Sequence, residues 1–219
     1  GVTIDMSNVT GLYLGRVEIC LELLRKTNDI ALQCTSKPLY ELLLVGAVAG
    51  VESYLHARLR KEVCTSFAKC QAYVISYLSH NGNKRDKDIL LKIALKSIKD
   101  SSINALPEGK DKDIIIETMN RHIYHNIKTI SDYYFEPVCG LNLTKCRNAE
   151  AFNKLVDQRH RVVHDGGRVN QLDYVDLNIY DVCKAFKTAE AFIEEIETWF
   201  SKNGSTPLFY DDPTELDQF

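Results

Sequence analysis

The sequence predicts an all-α fold, and three observations carry that expectation. Between Asp173 and Lys202 the apolar residues Val175, Ile179, Val182, Phe186, Ala189, Ile193, Ile196 and Phe200 alternate steps of four and three without a slip. That is the 3.5-residue period of a packed helix. From Phe152 to Gly167 (FNKLVDQRHRVVHDGG) a second helical stripe, Phe152, Leu155, Val156, Val162 and Val163, runs into a Gly-Gly stop. No alternating apolar–polar run supports a sheet.

A chain of 219 residues, 45% hydrophobic and 26% charged, suits one moderately large domain or a domain with an insertion, with a sizeable core. The formal charge of −3 gives no global attraction to nucleic acid, so RNA contact would need a local site. Seven cysteines, an odd number without CxxC or Cys/His zinc spacing, read as reduced thiols of a cytoplasmic protein with no signal peptide. The most apolar run, Leu42 to Val51, is too short to span a bilayer, so no membrane association is expected.

Taken in order, Val9 to Lys26 gives a first amphipathic helix, closed by Thr27-Asn28-Asp29. Pro38 suits the first turn of a second helix reaching Cys64 or beyond. Its centre, LLLVGAVAGV, is apolar or small on nearly every face and should be central in the fold. Glu52 emerges from that buried part, either as a solvated flank residue or as an internal carboxylate. Helix continues over 65–80 and stops at His80-Asn81-Gly82-Asn83. Lys84 to Asp100 is amphipathic, with six basic residues against three acidic ones and Lys92, Lys96 and Lys99 on the polar face. That face is either simply solvated or a phosphate-tracking surface. Residues 101–112 read as a loop, making 84–112 a candidate insertion, and Asp113 to Tyr134 as one helix. His122 and His125 share a face there, but with no third ligand no metal is expected. Asn148 is the expected N-cap of the helix that follows. Residues 1–203 thus form one helical domain, and 204–219 a polar, acidic, mobile tail.

The chemistry concentrates on one helix. Arg159 falls in the middle of its apolar stripe, where a guanidinium is costly unless an anion meets it. His164 lies roughly 80° past the edge of that stripe, before Asp165 at the helix end. Arginine presents a planar fork matched to phosphate oxygens. Histidine can take a proton from a hydroxyl and return one to a leaving oxygen. The two are not aligned on one face, so a site must gather groups from elsewhere.

Arg159-His160-Arg161-Val162-Val163-His164 resembles the signature of the HEPN superfamily: an Arg, a polar residue, then His four to six positions after the Arg. Asp165-Gly166-Gly167 is similar to the turn that follows it, and GVESYLHARLR (50–60) to an earlier helix carrying an acidic residue. The resemblance implies a four-helix-based bundle that pairs face to face as a homodimer, two motif copies sharing one cleft. It implies a metal-independent RNA endonuclease, without cofactor, in which the 2′-hydroxyl attacks the adjacent phosphate. His164 would then be general base or acid, Arg159 the phosphate holder, and His160 an assistant, with Glu52 positioning Arg159. The family's members serve as toxins or in phage defence, often with an antitoxin partner protein. Two other readings stand beside it: a HEPN-like module that binds RNA or nucleotide without cutting, and a helical interaction domain in which Arg159 pairs with Glu52.

Overall fold

The computed structural model describes residues 37–81, 84–99, 106–164, 168–170, 173–174 and 177–208. The expected helix over 9–26, with Cys20 and Cys34, lies outside the described residues. The chain divides into two compact units, one holding the residues through Tyr54 and those from Cys146 on, the other Leu55–Lys145. Helix α1, Lys37–Thr65, contributes to both. It is central as its composition demands: Leu44, Ala47, Val48, Val51, Leu55, Leu59 and Val63 are fully buried. Among the described residues, Leu39–Thr65 is the one helix long and apolar enough to cross a membrane, and 56% of its most apolar window is buried in the fold.

The first unit adds helix α7 (Ala149–His164), a ribbon of strands β1 (Arg168–Asn170) and β2 (Asp173–Tyr174), and helix α8 (Ile179–Lys202). The strands pair antiparallel, Arg168 with Tyr174 and Asn170 with Asp173, a small departure from the expected absence of strands. Helix α8 therefore starts at Ile179 rather than near Asp173. Its start is fixed by a capping box, in which the Asn178 side chain accepts from the Asp181 N–H and the Asp181 carboxylate from the Asn178 N–H. The predicted stripe holds from there: Ile179, Val182, Phe186, Ala189, Ile193, Ile196 and Phe200 are all buried. Beside it Glu197 is 1% exposed, accepting from Tyr54 Oη at 2.5 Å and from the Leu208 N–H at 3.3 Å. The chain turns back at Gly204 (φ 83°) and buries Leu208. The rest of the tail expected over 204–219 lies outside the described residues.

The second unit continues from α1 into α2 (Phe67–His80), capped by the Ser66 hydroxyl, and α3 (Lys84–Lys99), which packs on α2. Helix α4 (Gly109–Asn120) begins inside the stretch expected to be loop. The single helix expected over 113–134 is broken at 121–126. There Tyr124 Oη donates to the Met119 carbonyl, and Asn126 caps a new turn by accepting from the Thr129 N–H. The chain goes on as α5 (Ile127–Ile130), a π-helical turn (Ser131–Phe135), and α6 (Glu136–Cys139), which ends at left-handed Gly140.

Two polar clusters hold this unit. On α1, Arg58 is wholly buried and donates to Glu62 at 2.6 Å, while Lys69 of α2 holds the other Glu62 oxygen. Around α2, Tyr73 Oη bonds Thr118 Oγ1 at 2.9 Å and His122 Nε2 at 2.7 Å, and the His122 ring stacks on Tyr134 at 4.1 Å. Burial, and then the charge of His56, pushes His122 down to about 4, so it is neutral at physiological pH. Burial raises the Tyr73 and Tyr124 hydroxyls and pushes Tyr134 up to about 12. The His122 of the RHIYH stretch is thus engaged by tyrosines. Cys64, Cys70, Cys139, Cys146 and Cys183 are free thiols.

Candidate active site on helix α7

Helix α7 is seated from its start. The Glu195 carboxylate, on α8, accepts from the Arg147 N–H (2.7 Å), the Asn148 N–H (3.0 Å) and the Asn148 side-chain amide (2.7 Å). Asn148 stands at the expected N-cap position, its carbonyl accepting from the Phe152 N–H, and donates its side-chain amide to Glu195 and to the Ala191 carbonyl. A carboxylate here also meets the positive end of the helix dipole. Burial pushes the Glu195 carboxyl up, but the Arg147 and Asn148 donors outweigh it and hold it below the usual range. One turn in, Phe152 stacks on Phe192 of α8 with ring centroids 5.2 Å apart.

The lowered pKa of Glu195 makes stability depend on pH. A depressed carboxyl contributes stability that is present at neutral pH and lost as pH falls through its folded value, below the ordinary 4.5. Replacing Glu195 with Gln should cost about 1–3 kcal/mol near neutrality. Urea melts from about pH 7 to about pH 3 should show that the variant has lost part of the wild-type acid destabilisation.

From this anchored start the helix carries Phe152, Leu155, Val156 and Val162 into the core. Val163, expected on the same face, is 50% exposed, because it lies at the helix end beyond the packed part of the stripe. Arg159 sits in the centre of that face and is half-buried. Its Nε is buried and donates to no partner among the described residues, Glu52 included. Glu52 is half-buried on α1 and makes contacts of its own. The pairing expected between these two is therefore not made through Nε. His160 is half-buried and makes an interaction of its own.

His164 is the last residue of α7, about 140° and about 7.5 Å along the axis from Arg159. Its side chain lies outside the described residues, as does Asp165 with the Gly-Gly stop. On α3, Lys92 is exposed, while the side chains of Lys96 and Lys99 lie outside the description. What the structure brings together on α7 is thus a guanidinium with an unsatisfied buried donor, on the helix that ends in a histidine. Chemically, such a guanidinium can bind an oxyanion and balance charge developing on it.

Sequence reasoning missed Glu195 and Glu197. Both lie on the flank of the α8 stripe, where an acidic residue is the ordinary solvated choice. Their acceptor roles depend on residues 47 and 143 positions away, and no local signal marks them.

The sequence model of one family, described as RiboL-PSP-HEPN, matches residues 16–202. No curated protein and no solved structure matches the chain significantly.

Proposed function

The chain belongs to the RiboL-PSP-HEPN family, and from that premise we propose that it is a metal-independent endoribonuclease. The observation that carries this reading is the buried, unpartnered Nε of Arg159 in the middle of an apolar helix face. An unsatisfied buried donor costs about 1–3 kcal/mol, and a phosphate in the site would offset that cost. In the proposed reaction a ribose 2′-oxygen attacks the adjacent phosphorus and the bond to the 5′-oxygen breaks. His164 removes the 2′-hydroxyl proton or supplies one to the leaving oxygen, and Arg159 holds the phosphate and its growing negative charge. His160, Glu52 and Asp165 are assigned supporting roles, and Lys92, Lys96 and Lys99 contacts to flanking phosphates. The angular separation of Arg159 and His164 on one helix supports a cleft completed by a second copy of the chain, as a homodimer. A toxin or defence role in the cytoplasm, with a neutralising partner protein, belongs to the same proposal.

The test is digestion of RNA by the purified protein in EDTA, with mapping of the ends produced. Cleavage leaving 2′,3′-cyclic phosphate and 5′-hydroxyl ends, lost in His164→Ala with the fold intact, is the expected result. Cleavage unchanged in His164→Ala would overturn the catalytic assignment. Binding of RNA without cleavage, lost in an Arg159 variant, would favour a recognition module instead.

A further inference from the structure

The geometry points to a proton-operated latch in the second unit: His56 on α1 and His122 in the break after α4 hold residues 118–126 in place while both rings are neutral, and acid releases that segment. The break (RHIYHN, 121–126) contains neither glycine nor proline, so its shape rests on side-chain contacts. Tyr124 is buried in its middle, with the His56 ring centroid 5.2 Å and the His122 centroid 6.1 Å from its own. The His122 ring also stacks on Tyr134 at 4.1 Å and meets Tyr77 at 6.1 Å.

Counting protons fixes both imidazoles. The Thr118 hydroxyl donates to the Ile115 carbonyl at 2.6 Å, so toward Tyr73 Oη it can only accept. Tyr73 has then used its one proton, and the 2.7 Å bond to His122 must run from His122 Nε2–H to Tyr73 Oη. His122 Nδ1 is left as the bare nitrogen. For His56, the Asn120 side chain bonds the ring in the sense that favours its protonated form, so the amide oxygen accepts. His56 Nε2 is buried without a hydrogen-bond partner among the described residues, which assigns that bond to Nδ1–H. Each ring is therefore tied by its N–H, and can gain a proton only at an atom that meets no acceptor among the described residues.

The groups around the rings do not offset a positive charge. On α1 the charge acting on His56 is that of Arg60, one turn on, and not that of Glu52, one turn before. His122 meets Tyr73 and Tyr77 from α2, Tyr134 from the π-helical turn, Tyr124 from its own segment, and the charge of His56 from α1. Arg121, next to it in sequence, pairs with Glu117. Burial and then these cations push both rings below the ordinary 6.5, His122 to about 4. The latch is therefore fully held above pH 6.5. It weakens as pH falls toward about 4, because the released segment takes up the proton first. Through His122 alone the released fraction rises roughly 20-fold between about pH 7 and about pH 5.

Hydrogen exchange of the full chain, corrected for intrinsic rates and read peptide by peptide at about pH 7 and about pH 5, tests the latch. Peptides over 118–126 should lose protection roughly 20-fold or more at the lower pH, beyond any change in α8. His56→Asn with His122→Gln keeps an amide N–H in place of each donor and removes both titrations, so its protection over 118–126 should be equal at the two pH values. If that variant fails to fold, NMR titration of the wild-type imidazole protons decides, and both rings should titrate below 6.5. A ring titrating at 6.5 or higher, wild-type protection unchanged in acid, or the same loss in the double variant would each overturn the latch. None of these outcomes bears on Arg159, so the latch stands or falls apart from the ribonuclease reading.

Discussion

Arg159→Leu should end RNA cleavage and at the same time raise the stability of the protein. The substitution removes a buried N–H that has no partner among the described residues and puts an apolar side chain among Phe152, Leu155, Val156 and Val162. Relief of the unsatisfied donor together with added apolar burial predicts a gain of about 1 kcal/mol or more, read as a higher urea midpoint. Loss of an oxyanion-binding donor predicts a fall in cleavage rate of about 10²–10³-fold at least. Opposite movement of stability and activity marks a residue retained for chemistry at the expense of the fold. A variant weakened by several kcal/mol, with RNA handling untouched, would instead make Arg159 an internal strut.

The largest loss of stability is expected from Glu62→Gln. Arg58 is 0% exposed and Glu62 5%, so the ion pair between them is sequestered from water. Removing the carboxylate charge leaves the buried guanidinium poorly compensated, and Lys69 loses the same acceptor. A cost of about 3–5 kcal/mol is the usual result of breaking such a pair from one side. Replacing both partners, as Arg58→Met with Glu62→Leu, should recover most of it, since paired apolar groups of similar volume avoid the desolvation cost. Urea unfolding of the two variants side by side checks both statements. A double variant no more stable than Glu62→Gln would show that Arg58 contributes through further contacts.

Much of this architecture was legible because helical periodicity is a local property. Leu44, Val48, Val51 and Leu55 announce a central helix by composition alone, and the α8 stripe predicts each buried residue from Ile179 to Phe200. Arg159 was placed on the core face by the same counting. Misreadings came where a distant group decides the outcome. Asn148 does hold the N-cap position of α7, its carbonyl accepting from the Phe152 N–H, but its side chain is drawn to Glu195, 47 residues on. The break after Asn120 contains neither glycine nor proline and depends on the Tyr124 bond to Met119. The start of α8 was readable in Asn178-x-x-Asp181. It was overrun because Val175 continues the apolar spacing by one step. Full burial of the Arg58–Glu62 pair was also hidden, since four-residue spacing of opposite charges is equally the mark of a solvated helix face.

The ring chemistry of the chain gives its first unit an optical signal of its own. The sole tryptophan, Trp199, belongs to the first unit, edge-on to Phe200 at 5.1 Å. Tyr73, Tyr124 and Tyr134 belong to the second, and each resists ionisation beyond the ordinary value of 10.0. Phenols raised in this way protect the native state until alkali passes their unfolded value, after which that protection fades. Indole emission would then follow the half that carries α7, whereas phenols lie in both halves, Tyr40 and Tyr54 being buried in the first.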